Sequence, residues 1–394
     1  MEEKHARVSQ VATSGGGGGA APEAATPPAP GEVAAKRDAV QALLAARGLD
    51  ALFLRRVSSF AWITCGARSE INTAVEAGEA SVLLLRDRRY LLTNNIEAPR
   101  LLGEEALAVQ GFEPRVHAWH EPEAALPELT RGLRVGVDRP APELAGAVDV
   151  AQDVARLRAA LTPEEGERFR ALGRLCAEAM ERAVRTLAPG QTEHEIAAAL
   201  SRESVARGVW PIVDLVATDE RVLALRHPLP TDKRMQRYAM LVLCGRKGGL
   251  VCSVTRLVHF GPLPAELARK AEAVARVDAR FLAATRPGAV LKDVLSAATA
   301  AYREVGFADE WTHHHQGGAA GYEPRELLAT PRAPDVIRAG QVYAWNPSIA
   351  GTKSEDSVLV GERGVEVLTA MPGWPVVEVE IDGVVYPRPG ILLR

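Results

Sequence analysis

The feature that most constrains the fold lies in the C-terminal half, where strand-like and helical runs are broken by five polar islands in a fixed order. They are Arg226-His227, Ser253-Val254-Thr255-Arg256, His313-His314-His315-Gln316-Gly317-Gly318, Trp345-Asn346-Pro347 and Lys353-Ser354-Glu355-Asp356. Polar groups on the strands of an α+β core are costly unless they are paired or face a cavity. Five such islands predict one shared pocket.

The elements around them are legible from capping and periodicity. Thr162-Pro163-Glu164-Glu165 is an N-cap followed by a first-position proline and early acids, which starts a helix running to about Leu187. A second capped helix starts at Thr192 and ends near Gly208. Residues 239–260 read as two strands around Gly248-Gly249. Helices over about 263–285 and 291–305 follow, and 341–370 is strand-like again. This predicts an α+β domain, helices on an antiparallel sheet, over 151–394. The preceding stretch, 33–150, alternates helices with the strands Ala51–Leu54, Ser81–Leu85, Tyr90–Thr93 and Arg134–Asp138, and is expected to be an α/β domain. Residues 1–32, with Gly15 to Gly19 and an Ala/Pro-rich stretch, are expected to be a disordered tail outside the fold.

A net charge of -3 over 394 residues gives no reason to expect nucleic-acid or membrane binding. No apolar run approaches a membrane span, and no apolar segment of secretory type follows the N-terminal charges. Cys65, Cys176, Cys244 and Cys252 are scattered without a CxxC pair, which fits reduced thiols in a cytoplasmic protein.

The ordered islands resemble the metallopeptidase M24 family, the creatinase and aminopeptidase P group with the pita-bread fold, over about residues 33–375. That resemblance implies a creatinase-like N-terminal domain and a C-terminal domain of helices on a curved antiparallel sheet. In its frame, Ser253-Val254-Thr255-Arg256 stands for D-x-T-R, His314, Gly318 and Gly321 fall on H-x-x-x-H-x-x-G, and Trp345-Asn346-Pro347-Ser348 stands for V-E-P-G. Glu355-Asp356-Ser357-Val358-Leu359-Val360 matches the last segment. The family's metal ligands then fall on Leu243 or Cys244, Ser253, Gly318, Asn346 and Glu355, and only the last is a carboxylate. Neutral groups are poor substitutes for carboxylate ligands, so no bound metal or cofactor is expected.

Creatinase works on this fold without metal. The resemblance implies that His227, the substrate-contacting histidine, moves the proton, and that Glu355 holds a cationic or amide group of a small-molecule substrate. Asn346 and Ser253 would donate hydrogen bonds, Arg256 or Arg325 would hold a carboxylate, and His314 and Gly318 would line the pocket. Creatinase's other acid falls on Thr255, which weakens the case for creatine itself. The expected function is a metal-independent, creatinase-like hydrolase cleaving a C–N or related bond; the resemblance implies a homodimer, and Arg68 lies near where related dimers send a residue into the neighbour's pocket. One alternative is a non-catalytic pita-bread binding protein, as in the large subunit of a histone chaperone. The other is a metal-dependent Xaa-Pro aminopeptidase. His313-His314-His315 invites a zinc reading, but neighbours in an extended segment point to opposite faces, so at most two are expected to converge. Cys244 and Cys252 read as core residues rather than nucleophiles.

Overall fold

The computed structural model describes residues 27–394. The chain begins with α1 (Pro30–Arg47), which has its proline in the first turn and is stopped by Gly48 in the left-handed conformation. β1 (Ala51–Arg56), α2 (Val57–Ile63), β2 (Ala77–Leu84), β3 (Arg89–Asn94), α3 (Ala98–Leu102), β4 (Glu113–His117), α4 (Ala125–Leu129), β5 (Val135–Val137) and β6 (Val148–Asp149) follow. The six strands form one sheet in the order β4-β3-β2-β1-β5-β6. β2 runs antiparallel to both neighbours, while β5 and β4 join in parallel, as expected for an α/β unit.

Order starts earlier than the sequence suggests. Residues 1–26 of the expected tail lie outside the described residues, but Pro30 already opens α1, and Glu32 is buried against Lys36 (2.7 Å) and Arg168 (2.7 Å). Apolar periodicity is blind to this boundary because it is held by charge. Burial alone would raise the Glu32 carboxyl, but hydrogen bonds and charge from Arg168 and Lys36 bring it down to about 2.

α5 (Ala151–Ala159) leads into the C-terminal part. α6 (Pro163–Arg185) and α7 (Glu193–Val205) each begin with a complete capping box, Thr162 with Glu165 and Thr192 with Glu195. Then come β7 (Trp210–Thr218), α8 (Glu220–Ala224), β8 (Tyr238–Lys247), β9 (Leu250–His259), α9 (Ala265–Ala284) and α10 (Leu291–Glu304). A 3-10 turn over Glu310–His313 precedes β10 (Gly317–Ala320), β11 (Leu327–Leu328), β12 (Val342–Trp345), β13 (Ser348–Ile349), β14 (Thr352–Lys353), β15 (Asp356–Val360) and β16 (Val365–Val367). The chain closes with β17 (Val376–Ile381), β18 (Val384–Pro389) and β19 (Leu392–Leu393). β7 is an addition to the sequence expectation: Pro211 and Asp214 interrupt its apolar run, and Pro211 is tolerated because β7 lies at a sheet edge.

Two sheets, β19-β9-β8-β7 and β11-β10-β12-β15-β16, meet where β9 passes β15. Thr255 N donates to Glu355 O (3.2 Å) at that seam. α6 covers one face, packing Phe169, Leu172, Cys176 and Met180 among Leu241, Leu243, Cys252 and Val254. Strand alternation therefore turns Val242, Cys244, Ser253 and Thr255 to the other face. α9 and α10 pack behind β12 and β15, with Phe281 stacked on Trp345 at 4.4 Å. Replacing Thr162 with Ala removes the N-cap of α6 and is expected to cost about 1 kcal/mol in denaturant unfolding.

Candidate active site

Strand spacing assembles the first half of the site. Ser253 and Thr255 sit two apart on β9, and Lys353 and Glu355 two apart at the end of β14, so each pair shares a face. Glu355 is almost fully buried. One carboxylate oxygen accepts from Thr255 Oγ1 (2.5 Å) and Lys353 Nζ (2.7 Å), the other from Arg325 (2.9 Å). Burial would raise this carboxyl, but Lys353 and Arg325 outweigh it and hold it at about 2. Arg325 also donates to Ser253 Oγ (3.2 Å), and Ser253 Oγ lies 3.3 Å from Cys244 Sγ. Cys244, rather than Leu243, is thus the residue facing Ser253. Burial pushes its thiol up to about 11, so it stays protonated at neutral pH.

The second half is a histidine cluster. His314 leaves the 3-10 turn in an extended conformation. Its Nδ1 is 3.0 Å from Ser348 Oγ, and its Nε2 is 3.0 Å from His227 Nε2 and 3.4 Å from the Asn346 amide nitrogen. The His315 ring lies 4.8 Å from His314 and 5.5 Å from His227, centroid to centroid. Arg226, paired with Glu310, ties the loop that carries His227 to the 3-10 turn. Although His314 and His315 are adjacent beyond the turn, both rings reach His227, against the alternation expected of an extended tract. Burial, then the charge of Lys353, pushes His314 down to about 2. Burial and Arg325 push His315 down to about 4, and burial and Lys353 lower His227.

These shifts predict a pH dependence. An unfolded imidazole takes up a proton near pH 6.5, whereas folded His314 and His315 take one up only in more acid solution. The unfolded chain binds more protons between those limits, so stability is full above about pH 6.5 and falls as pH drops below it. The thermal midpoint is expected to be lower at about pH 5 than at about pH 7.5, with a smaller difference in His314→Asn.

Of the residues expected from sequence, His227, Ser253, Thr255, His314, Arg325, Asn346 and Glu355 lie in this region. Arg256 does not. It points to the opposite face of β9, buried, and donates to Thr255 O (2.8 Å), Asp356 (2.8 Å) and Thr369 O (2.8 Å), so it cannot hold a substrate carboxylate. Glu355 is close to the other groups, but both its oxygens are occupied by Lys353 and Arg325, which corrects the expectation that it grips a cation. Gly318 packs against β11 so closely that a Cβ would lie 1.9 Å from Leu327 O. Lys353, His315 and Ser348 were missed, although the two-residue spacing of Lys353 from Glu355 was a readable signal. Arg68 pairs with Glu70 and lines a cavity of about 270 Å³ between the N- and C-terminal sheets with Arg246 and Lys247.

Residues 167–380 match the model of metallopeptidase family M24. The chain belongs to the M24 family. It is 27% identical over 235 residues to an uncharacterized peptidase of Staphylococcus saprophyticus and 28% identical over 233 residues to an Xaa-Pro dipeptidase of Pyrococcus furiosus. Each match takes in 56% of this chain and 65% of the relative's own length. Its fold is similar to that of an Xaa-Pro dipeptidase from Bacillus anthracis, with TM-score 0.74, 17% identity, and 92% and 100% of the two chains covered. It is also similar to the N-terminal domain of FACT complex subunit SPT16 from chickpea, with TM-score 0.64, 14% identity, and 86% and 94% covered. These M24 neighbours carry the pita-bread fold expected from the sequence. No helix among the described residues is long and apolar enough to cross a membrane.

Proposed function

We propose that this M24 chain hydrolyses a C–N or related bond in a small polar substrate without the family's paired metal ions, using His227 to move the proton. The observation that carries this reading is Glu355 clamped by Lys353 and Arg325. The donors beside it do not fit two divalent ions. Cys244 is protonated, Ser253 and Asn346 are neutral, Gly318 has no room for a side chain, and two fixed cations stand on the one carboxylate. Paired ions need several bridging carboxylates to offset their charge.

His227 is partly exposed and its imidazole is neutral near pH 7, so it can accept a proton. In this reading it removes one from a water attacking the scissile carbon, and the C–N bond breaks as His227 returns that proton to the leaving nitrogen. The Arg325 Nε and the Asn346 Oδ1 are buried beside the site without partners among the described residues.

A metal-dependent Xaa-Pro dipeptidase is the second reading, favoured by the family match and the Pyrococcus relative. The deciding experiment pairs elemental analysis of the purified chain with hydrolysis of a panel of amides, ureas, guanidino acids and Xaa-Pro dipeptides, with and without chelator. Turnover that chelator leaves intact is expected, with less than one metal per chain. Two metals per chain and chelator-sensitive dipeptide cleavage would establish the second reading, and no turnover at all would leave a binding protein.

A further inference from the structure

His227, His314 and His315 bring one ring nitrogen each to within 4.8 Å of one another. We propose that these three imidazoles bind one transition-metal ion of the zinc, cobalt or nickel type, and that its occupation silences the chemistry of His227 rather than supporting it. The second half of this statement rests on the proton-transfer reading given above; the first does not.

The spacing fits. Metal–nitrogen bonds of 2.0–2.1 Å in a tetrahedral site separate neighbouring ligand nitrogens by about 3.3 Å. His227 Nε2 and His314 Nε2 are 3.0 Å apart, and the upper limit of 4.8 Å lets His315 close the set with a small ring movement. The tautomer also fits. Ser348 Oγ, 3.0 Å from His314 Nδ1, can accept its N–H, which leaves the Nε2 lone pair pointing into the cluster. A hydroxyl, carbonyl or carboxylate behind a ligating histidine is the usual support of a metal site.

Asn346 supplies an independent observation. It is buried, its amide nitrogen is 3.4 Å from His314 Nε2, and its Oδ1 has no partner among the described residues. A half-turn of that amide would present the oxygen to the same point as a fourth donor. Imidazole suits zinc, cobalt, nickel and copper, whereas magnesium, calcium and manganese prefer oxygen ligands that this set lacks.

Lys353 and Arg325 oppose a dication, and Glu355 offsets only part of their charge. The ion is therefore exchangeable and is lost on purification. Without it, a His227 N–H donates to His314 Nε2. With it, the His227 lone pair is consumed in the metal bond and cannot accept a proton.

The test titrates the full, metal-stripped chain with Co²⁺ alone and follows the visible bands of a low-coordinate site. One equivalent is expected, with the bands lost in His315→Ala and His227→Ala and the affinity about 10–100-fold weaker in Ser348→Ala. His227 is exposed, so its variant should keep the parent's melting temperature, and this guards against a folding defect. Zn²⁺ should inhibit turnover and chelator restore it. No Co²⁺ uptake, or uptake unchanged by His315→Ala, overturns the site. One equivalent lost in His315→Ala but raising turnover overturns the silencing role alone. Two equivalents lost in Glu355→Gln, with turnover that needs them, overturn both this site and the metal-free reading.

Discussion

Replacing His227 with Ala is expected to lower turnover about 10²–10⁴-fold while leaving the melting temperature unchanged, because a general acid–base group contributes an effect of that size. Without a metal-activated water some side chain must move the proton, and the other candidates are less suited. Cys244 is held as a thiol by burial, Glu355 is clamped and held charged, and His314 is buried behind His227 with its two nitrogens facing Ser348 and His227. His227 joins solvent access, a neutral imidazole and contact with the cluster; His315 shares these, but burial and Arg325 push it down to about 4, which makes it a weak base near pH 7. Its partly exposed ring packs no core, so losing it removes chemistry rather than stability. Turnover that persists within a few-fold of the parent, measured beside an unchanged circular dichroism melt, would assign the proton to another group. Loss of turnover that added imidazole partly restores would strengthen the assignment.

Most of the fold was legible because it rests on local chemistry. The two capping boxes marked α6 and α7, and Gly248-Gly249 marked the β8–β9 turn, where both glycines have positive φ. What failed to show was mostly long-range pairing. β7 and β19 are short or broken runs stabilised by partners away in sequence, such as Leu392 beside Val258, whereas β17 and β18 form a local hairpin across Asp382-Gly383. The start at Pro30 was hidden because Glu32 is fixed by Arg168, 136 residues later, and not by an apolar face.

The site was legible as a set of islands but not as a set of roles. Thr255 and Arg256 are neighbours, and one residue of strand sends one to the site and the other to a buried ionic lattice. In that lattice Arg256 and Arg388 bind Asp356, Arg388 binds Asp278, and Ser354 donates to Asp278 (2.5 Å). Asp356 and Glu355 likewise divide, one into this lattice behind the strand and one into the site. Sequence spacing shows that polar residues cluster, whereas only the pairing shows which charges neutralise one another. The convergence of His314 and His315 on His227 has no periodic signal in the polar tract.

Glu355→Gln is expected to destabilise the chain by about 3–5 kcal/mol, the usual effect of removing one partner from a buried ion pair. Glu355, Lys353 and Arg325 are all largely buried, with side chains 2%, 4% and 12% exposed. Glutamine keeps the shape and can still accept from Thr255, but it leaves two cations without a counter-charge. Its pH signature separates this account from a packing defect. The folded carboxyl protonates at about 2 and an unfolded one at about 4.3, so the ion pair's contribution is full above about pH 4.3 and is lost as pH falls towards 2. The gap between parent and variant, measured by denaturant unfolding, should therefore be widest near pH 7 and narrow as the pH falls below about 4. A gap that stays constant from pH 7 to pH 3 would mean that the glutamine disturbs packing, and would remove the clamped carboxylate as the argument against paired metal ions. A gap that narrows would leave Lys353 and Arg325 as the charges that Glu355 exists to hold, facing a substrate rather than a metal.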